Sequence, residues 1–266
     1  MPRPLFAMGN KRSGSTLLVN LLNQHPKVFV SHESDIAWIL YQSRNGLPEE
    51  VKCHPFDAPR GLNSTLKACG SILRDHLKPQ PVSETIQSTF YEVQRHLMTN
   101  GSDMDKSFDK SDCQWIGDKK PVQHCIPEIN SFLRQHFDDA LYIHVIRNPK
   151  CVVASMLKAA DSWKFVPDYW QGTKEEIFSR WLQHEAWVLQ AKSEMPDRIY
   201  TLQLEHLCAS PIIELEKLFS FLDLNLPESL ASRIDLFIDE RPNTKYDSFE
   251  LPQMAGAKDI LRHYDY

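Results

Sequence analysis

The residues Gly9-Asn10-Lys11-Arg12-Ser13-Gly14-Ser15-Thr16 crowd glycines, cations and hydroxyls into one short stretch. The spacing Gly9-x-x-x-x-Gly14-Ser15-Thr16 is that of a phosphate loop, in which backbone N–H groups wrap an anion and a helix N-terminus is aimed at it. One change is decisive. Ser15 stands where a nucleotidase carries the lysine that reaches toward a third phosphate. Arg12 supplies positive charge from a different point of the loop. Arg12, Ser13, Gly14, Ser15 and Thr16 are therefore candidate anion-binding residues. The plainer reading of the same segment is a serine-capped helix after a buried strand.

A second constellation lies at Arg147-Asn148-Pro149, directly after the apolar run Ala140 to Ile146. In a nucleoside triphosphatase such a strand ends in an aspartate that helps to hold magnesium. An arginine at that tip favours a second phosphate over a metal. Ser155, two turns into the following helix, is placed to offer its hydroxyl to the same anion. The competing reading is a helix capped by Asn148 with an exposed Arg147. Two further candidates sit at strand ends. Glu33 follows the run Val28 to Ser31, on the sheet edge where α/β folds bind ligands. Lys119 belongs to a turn, Gly117-Asp118-Lys119-Lys120, from which it can meet anionic oxygens, although a lysine in a surface turn needs no such role.

These residues need elements to position them. Leu5 to Met8 reads as a strand, and Leu17, Leu18, Leu21 and Leu22 have helical spacing. His25-Pro26 stops that helix, and Val28 to Ser31 is a second strand. From Ile36 to Asp112 the chain is broken by proline and glycine, with helical spacing over Leu62–Leu77 and Val82–Met98. Residues 36–112 are expected to form a helical insertion that covers the site and shapes substrate choice, or else extra core helices. Asn100 to Asp112 reads as an exposed loop. A short strand at Gln114, a helix through Ile126, Ile129 and Phe132, the strand Ala140–Ile146 and a helix through Val152, Val153, Met156 and Leu157 follow. Ser162 to Thr173 carries Trp163, Phe165, Tyr169 and Trp170, either a lid or acceptor pocket or core packing. Then come a long helix over Glu175–Ser193, a strand over Arg198–Leu204 and a helix opened by Pro211. The tail, 240–266, shows little periodicity, and its Lys245 and Tyr246 are placed to fold back over a cofactor. This order predicts a single α/β domain over 1–266, with helices flanking a mainly parallel sheet in three layers.

Composition sets the outer limits. At 266 residues and 42% hydrophobic content the chain can bury a full core. A net charge of -5 gives no global basic field, so nucleic acid is not an expected partner. No basic stretch leads into an apolar run, and no window nears about 18 apolar residues, so neither a signal peptide nor a membrane anchor is expected. Cys53, Cys69, Cys113, Cys125, Cys151 and Cys208 lie singly, without metal-ligand spacing. Free thiols in a reducing, cytoplasmic compartment are the expectation, and no metal site is.

A phosphate loop without its lysine, a strand-tip arginine with a serine, and no recognisable metal carboxylate fit one kind of ligand. It is a nucleoside with a modified phosphate at one end and a separate phosphate at the other, as in 3′-phosphoadenosine 5′-phosphosulfate (PAPS). On these residues the chain resembles the PAPS-dependent sulfotransferases. Arg12-Ser13-Gly14-Ser15-Thr16-Leu17-Leu18 looks like their 5′-phosphosulfate loop, and Arg147-Asn148-Pro149 with Ser155 is similar to their 3′-phosphate motif. Gly117-Asp118-Lys119 followed by Pro121 resembles the Gly-Asp-Lys-x-Pro turn of bacterial and related members. Leu204-Glu205-His206-Leu207 stands where members often carry Tyr-Glu-Asp-Leu. Arg12 in place of lysine, and the lack of a Gly-rich basic motif near residue 266, set the chain apart from the steroid and phenol enzymes. It looks like the bacterial and tyrosylprotein branch, which implies a P-loop-type fold.

The resemblance also implies a mechanism: metal-independent, in-line transfer of a sulfuryl group from PAPS to a hydroxyl or amine, leaving 3′,5′-adenosine bisphosphate. In it Glu33 is the general base, and Arg12 and Lys119 balance developing negative charge. The acceptor would be a small-molecule, lipid, carbohydrate or peptide hydroxyl, and the protein a monomer or homodimer. The chain departs from the pattern at Lys11, where proline is common, and at Lys120, where a small or hydroxyl residue is usual. It departs again at Leu204 and His206, and His32 is a second candidate base beside Glu33. Two alternatives stand: a P-loop small-molecule kinase using ATP, and a catalytically silent nucleotide-binding protein.

Overall fold

The computed structural model describes residues 2–57, 59–100, 109–162, 169, 171–238, 246 and 248–266. Five strands, β1 (Arg3–Gly9), β2 (Val28–His32), β3 (Trp115–Lys119), β4 (Leu141–Ile146) and β5 (Ile199–Gln203), form one sheet in the order β2-β3-β1-β4-β5. Every pairing is parallel. The described helices are α1 (Ser15–Asn23), α2 (Ile36–Gln42), α3 (Pro59–His76), α4 (Ser83–Asn100), α5 (Pro127–His136), α6 (Pro149–Ser162), α7 (Lys174–Glu194), α8 (Leu204–Ala209), α9 (Pro211–Phe221), α10 (Glu228–Ala231) and α11 (Ala257–His263).

The strands read as unbroken apolar runs because both faces of the sheet are covered. Successive side chains point to opposite faces. Leu5 and Ala7 of β1 join Val28, Val30, Ile143, Val145 and Leu202 under α1 and α9. Phe6 and Met8 join Phe29, Ile116 and Tyr142 under α2, α4 and α5. Phe6 lies 5.5–5.6 Å, ring centre to ring centre, from Phe90, Phe137 and Tyr142. Such aromatic pairs add about 0.5–1.5 kcal/mol each beyond their burial. β1 is central, with β3 on one side and β4 on the other. The crevice beyond its carboxyl end is the topological switch point, where ligands bind in this class of sheet.

The sheet and its helices match the expected α/β layering, and two local expectations, for the end of β3 and for the tail, are corrected. Gly117, Asp118 and Lys119 are the last residues of β3, not a turn. A Cβ on Gly117 would lie 1.7 Å from the Leu5 carbonyl oxygen, so glycine is what lets β3 approach β1. Ile36–Gln42 is a helix, and within 36–112 the helix α4 packs Ile86, Phe90 and Val93 into the sheet-covering core. Of the expected exposed loop, 101–108 fall outside the described residues; Asn100, Asp109, Ser111 and Asp112 are exposed as expected, while Lys110 is buried. Its Nζ donates to the carbonyls of Asn23, His25 and Val28 at 2.6, 3.0 and 2.6 Å, closing the end of α1. The tail carries α11, and Ala257 and Tyr264 pack with Ile146, Phe178 and Trp181 in a third core cluster. Lys245, Trp163, Phe165 and Trp170 lie outside the described residues. No helix among the described residues is long and apolar enough to cross a membrane.

Candidate active site

The loop from β1 to α1 is a cradle of backbone groups. Gly9 and Gly14 have φ of 140° and 93°, and Arg12 also takes a left-handed φ of 68°. A Cβ on Gly9 would stand 2.3 Å from the Val145 carbonyl oxygen of the neighbouring strand. Gly14 begins α1 without a side-chain cap, so the first-turn amides of that helix receive no capping oxygen from it. Ser13 is fully buried in the loop, and its Oγ has no hydrogen-bond partner among the described residues. Ser15 is buried and Thr16 exposed. These groups present donors and a helix dipole to one point, which is how an anion is held without a metal or a lysine.

The strand-tip arginine meets this loop. Arg147 Nη1 donates to the Arg12 carbonyl at 3.1 Å, and Arg12 Nε donates to Ser155 Oγ at 3.0 Å. Both guanidinium groups and the Ser155 hydroxyl thus share one rim. Asn148 starts α6: its Oδ1 accepts from Lys150 N at 2.9 Å, while its own N–H donates to Glu205 Oε1 at 2.9 Å. Glu205 Oε2 accepts from the Tyr266 hydroxyl at 2.9 Å. Leu204 packs on the loop. A Cβ on Gly14 would approach its Cδ1 to 2.8 Å.

On the other side of β1, the ends of β2 and β3 place a carboxylate against an ammonium. Lys119 Nζ donates to Glu33 Oε1 at 2.9 Å, and Glu33 N donates to the Lys119 carbonyl at 2.9 Å. The lysine side chain is 2% exposed and the glutamate 42%, so the pair opens to solvent through Glu33. Burial opposes the charge on Glu33, but the ammonium groups of Lys11, Lys119 and Lys120 and the Lys119 hydrogen bond outweigh it. The carboxyl is held at about 2. Burial lowers the affinity of Lys119 for its proton, against the pull of Glu33. Asp118, between these residues, is fully buried. Its Oδ1 accepts from Ser31 Oγ, Ser34 N and Ser34 Oγ at 2.9, 3.2 and 2.9 Å, which pins the chain on both sides of Glu33. His32 points elsewhere, with Nε2 3.3 Å from Asn20 Oδ1 on α1.

The comparisons with known proteins identify the family and the fold. The model of the family described as "Sulfotransferase family" matches residues 4–228. The chain belongs to the sulfotransferase family. No curated protein sequence matches it. Among solved structures, it is similar to the sulfotransferase domain of the olefin synthase of Synechococcus PCC 7002, at 20% identity and a TM-score of 0.69. That match covers 100% of this chain and 95% of the other. The sulfotransferase domain from the curacin biosynthetic pathway follows at 18% identity and 0.68, covering 100% and 98%. Sulfotransferase STF9 of Mycobacterium avium is at 16% identity and 0.54, covering 99% and 76%. At these identities the likeness concerns the fold.

In this sulfotransferase the fold brings Arg12, Ser13, Gly14, Ser15, Thr16, Arg147 and Ser155 to one loop-and-rim, with Glu33 and Lys119 paired one strand away. Residues that the sequence did not mark as a group surround that pair. Lys11 Nζ lies 2.6 Å from Asp57 Oδ1, Lys120 Nζ lies 2.8 Å from Asp35 Oδ2 and 3.6 Å from Asp57 Oδ1. Gln123 Nε2 donates to Asp35 Oδ1 at 3.0 Å and to Asp57 Oδ2 at 3.3 Å. Burial works against the Lys120 charge, yet Asp57 and Asp35 raise its affinity for the proton. Burial pushes the Asp35 carboxyl up despite Lys120. Lys11 and Lys120 had signalled themselves as departures from the family pattern. Asp57 carried no local signal at all.

Proposed function

We propose that this sulfotransferase moves a sulfuryl group from PAPS to a hydroxyl or amine acceptor. The observation that carries the reading is the shared rim: Arg147 bonded to the Arg12 carbonyl and Arg12 bonded to Ser155, beside the Glu33–Lys119 pair. The residues present fit a nucleotide with an anion at each end. The buried Ser13 Oγ, unpartnered among the described residues, and the uncapped start of α1 suit the 5′ side. Arg147 and Ser155 would hold the 3′-phosphate, and Arg12, Ser13, Gly14, Ser15 and Thr16 the phosphosulfate.

Bound PAPS supplies a sulfuryl electrophile on a phosphate leaving group. Glu33 accepts the acceptor's proton as the new bond to sulfur forms and the sulfur–oxygen bond to phosphate breaks. Arg12, Lys119 and the loop amides balance the charge that grows on the leaving side. Held at about 2, Glu33 is ionised but weakly basic. An anionic donor beside the same lysines offsets their charge, and Lys119 can turn its hydrogen bond from Glu33 to the donor. Both changes raise the basicity of Glu33 only when the site is filled.

Titration calorimetry with 3′,5′-adenosine bisphosphate against magnesium-ATP tests the donor. The bisphosphate is expected to bind at least about tenfold, or ~1.4 kcal/mol, more tightly. Tighter binding of magnesium-ATP would replace this reading with the kinase one. Transfer of ³⁵S from labelled PAPS across a panel of hydroxyl and amine acceptors then tests the chemistry, and a panel blank beside tight bisphosphate binding would favour the silent protein.

A further inference from the structure

The segment 53–57 is tethered at two points to the dipeptide Asn10-Lys11 of the anion loop. At one end Asp57 holds Lys11 at 2.6 Å, with the Asp57 side chain 1% exposed. At the other, Phe56 stacks on Tyr169 with ring centres 3.9 Å apart and planes 24° apart. The Tyr169 hydroxyl lies 2.7 Å from His184 Nε2, and His184 Nδ1 lies 2.7 Å from Asn10 Oδ1. Burial, with Arg180 and Lys11, holds His184 down at about 3, so its ring is neutral. An amide oxygen only accepts, so Nδ1–H donates to Asn10 and Nε2 accepts from Tyr169. Asn10 Nδ2 then donates to the buried Glu185 Oε1 at 2.6 Å. Every bond in this chain runs in one direction and ends on a carboxylate.

The ring of contacts closes: Lys11, Asp57, Phe56, Tyr169, His184, Asn10. Its aromatic side continues through His54, which meets Phe56 edge-on at 4.7 Å and Trp38 at 4.6 Å. Phe56, Trp38 and Tyr169 are half-buried, so this side retains partly open aromatic faces. Six charges fill the junction between wall and loop. The ammonium groups of Lys11, Lys119 and Lys120 are matched by the carboxylates of Glu33, Asp35 and Asp57. Within its buried part, Lys11, Lys120, Asp35 and Asp57, a charge left unmatched is strongly destabilising, so these four move together, while Glu33 stays open to solvent.

Resting on the donor reading above, we propose that Asp57 is a positioning residue: through Lys11 and Lys120 it couples the donor loop to segment 53–57, which forms the acceptor-side wall. Filling the loop with an anionic donor thereby orders the wall against which the acceptor is placed. The coupling is a free energy shared between two sites, so it is measurable from the donor side without knowing the acceptor.

The test is amide hydrogen exchange on the full chain, with 3′,5′-adenosine bisphosphate as probe. In the wild type, saturating bisphosphate slows exchange across 53–57 by about tenfold or more. In Asp57→Asn the bisphosphate still binds, within about fivefold of the wild-type affinity, because no donor contact is removed. Its binding no longer protects 53–57. Should Asp57→Asn fail to fold, the double variant Lys11→Met/Asp57→Leu replaces the pair by apolar groups and leaves Lys120 with Asp35. Losing the Lys11 charge weakens its bisphosphate binding, so it is compared at saturating bisphosphate, where 53–57 should show no protection. Protection that persists in either variant overturns the proposal, as does a wild type that binds without protecting 53–57. A wild type that does not bind the bisphosphate overturns the donor reading instead. A merely structural Asp57 would lower binding and protection together.

Discussion

Glu33 and Lys119 are one unit at rest, joined at 2.9 Å, and two separate groups during the proposed transfer. Lys119→Ala removes a preorganised cation from the leaving side and should lower the rate by about 10²–10³. Bisphosphate affinity should change far less, and a parallel loss in both would place Lys119 in ground-state binding. Glu33→Gln keeps the shape and removes the proton acceptor, so turnover should fall by about 10²–10⁴ with donor binding retained. The same glutamate predicts a stability effect. Its carboxyl lies at about 2 in the folded chain against an ordinary 4.5, so ionisation favours folding above the ordinary value. That contribution fades as pH falls from 4.5 toward about 2. With the side chain 42% exposed, solvent screening keeps it small. Urea midpoints should therefore separate wild type from Glu33→Gln more at pH 7 than at pH 3, and an equal gap at both would deny the shift.

Among the elements, β3 is the most exacting. Gly117→Ala would put a Cβ 1.7 Å from the Leu5 carbonyl oxygen and force β1 and β3 apart. Overpacking costs about 1–3 kcal/mol or more, so the urea midpoint should drop clearly, and an unchanged midpoint would mean that the strands are not so closely paired. Lys110→Met removes the shared donor to the Asn23, His25 and Val28 carbonyls between α1 and β2, of which His25 keeps the Val28 N–H, and should cost about 1–3 kcal/mol in the same assay. These two cases show where reading residues in order succeeded and where it stopped. β1, its loop and α1 were legible because an apolar run, glycine spacing and helical leucines agree. So were β4, Arg147 and α6. The end of β3 looked like a turn because Gly, Asp and Lys are turn formers. The structure reverses that, since Asp118 spends its polarity on Ser31 and Ser34 rather than on water. The ion pairs of Asp35 and Asp57 were illegible for another reason. Their partners, Lys120 and Lys11, lie far away in sequence, and no periodicity links one to the other.

Over the whole molecule, distant segments converge on the rim that faces the proposed 3′-phosphate. α11 docks on α6 and α7 through Ala257 and Tyr264, and just beyond it Tyr266 reaches Glu205 after β5. Burial and the neighbouring carboxylate push the Tyr266 hydroxyl well above its usual range, so it stays protonated and donates. Glu205, held on one oxygen by Tyr266, offers the other to Asn148 N, the residue after Arg147. The order of the 3′ side therefore depends on a hydroxyl 119 positions beyond Arg147 (266 less 147). Tyr266→Phe removes one hydrogen bond worth about 0.5–1.5 kcal/mol. If that loss passes to the rim in full, affinity for 3′,5′-adenosine bisphosphate falls by about 2–12-fold. Adenosine 5′-phosphosulfate, which lacks the 3′-phosphate, should bind variant and wild type alike, because it would rest on the loop from Gly9 to Thr16 and not on the Arg147 side that Tyr266 supports through Glu205 and Asn148. Equal weakening of both ligands would show that α11 supports the fold as a whole rather than the 3′ side.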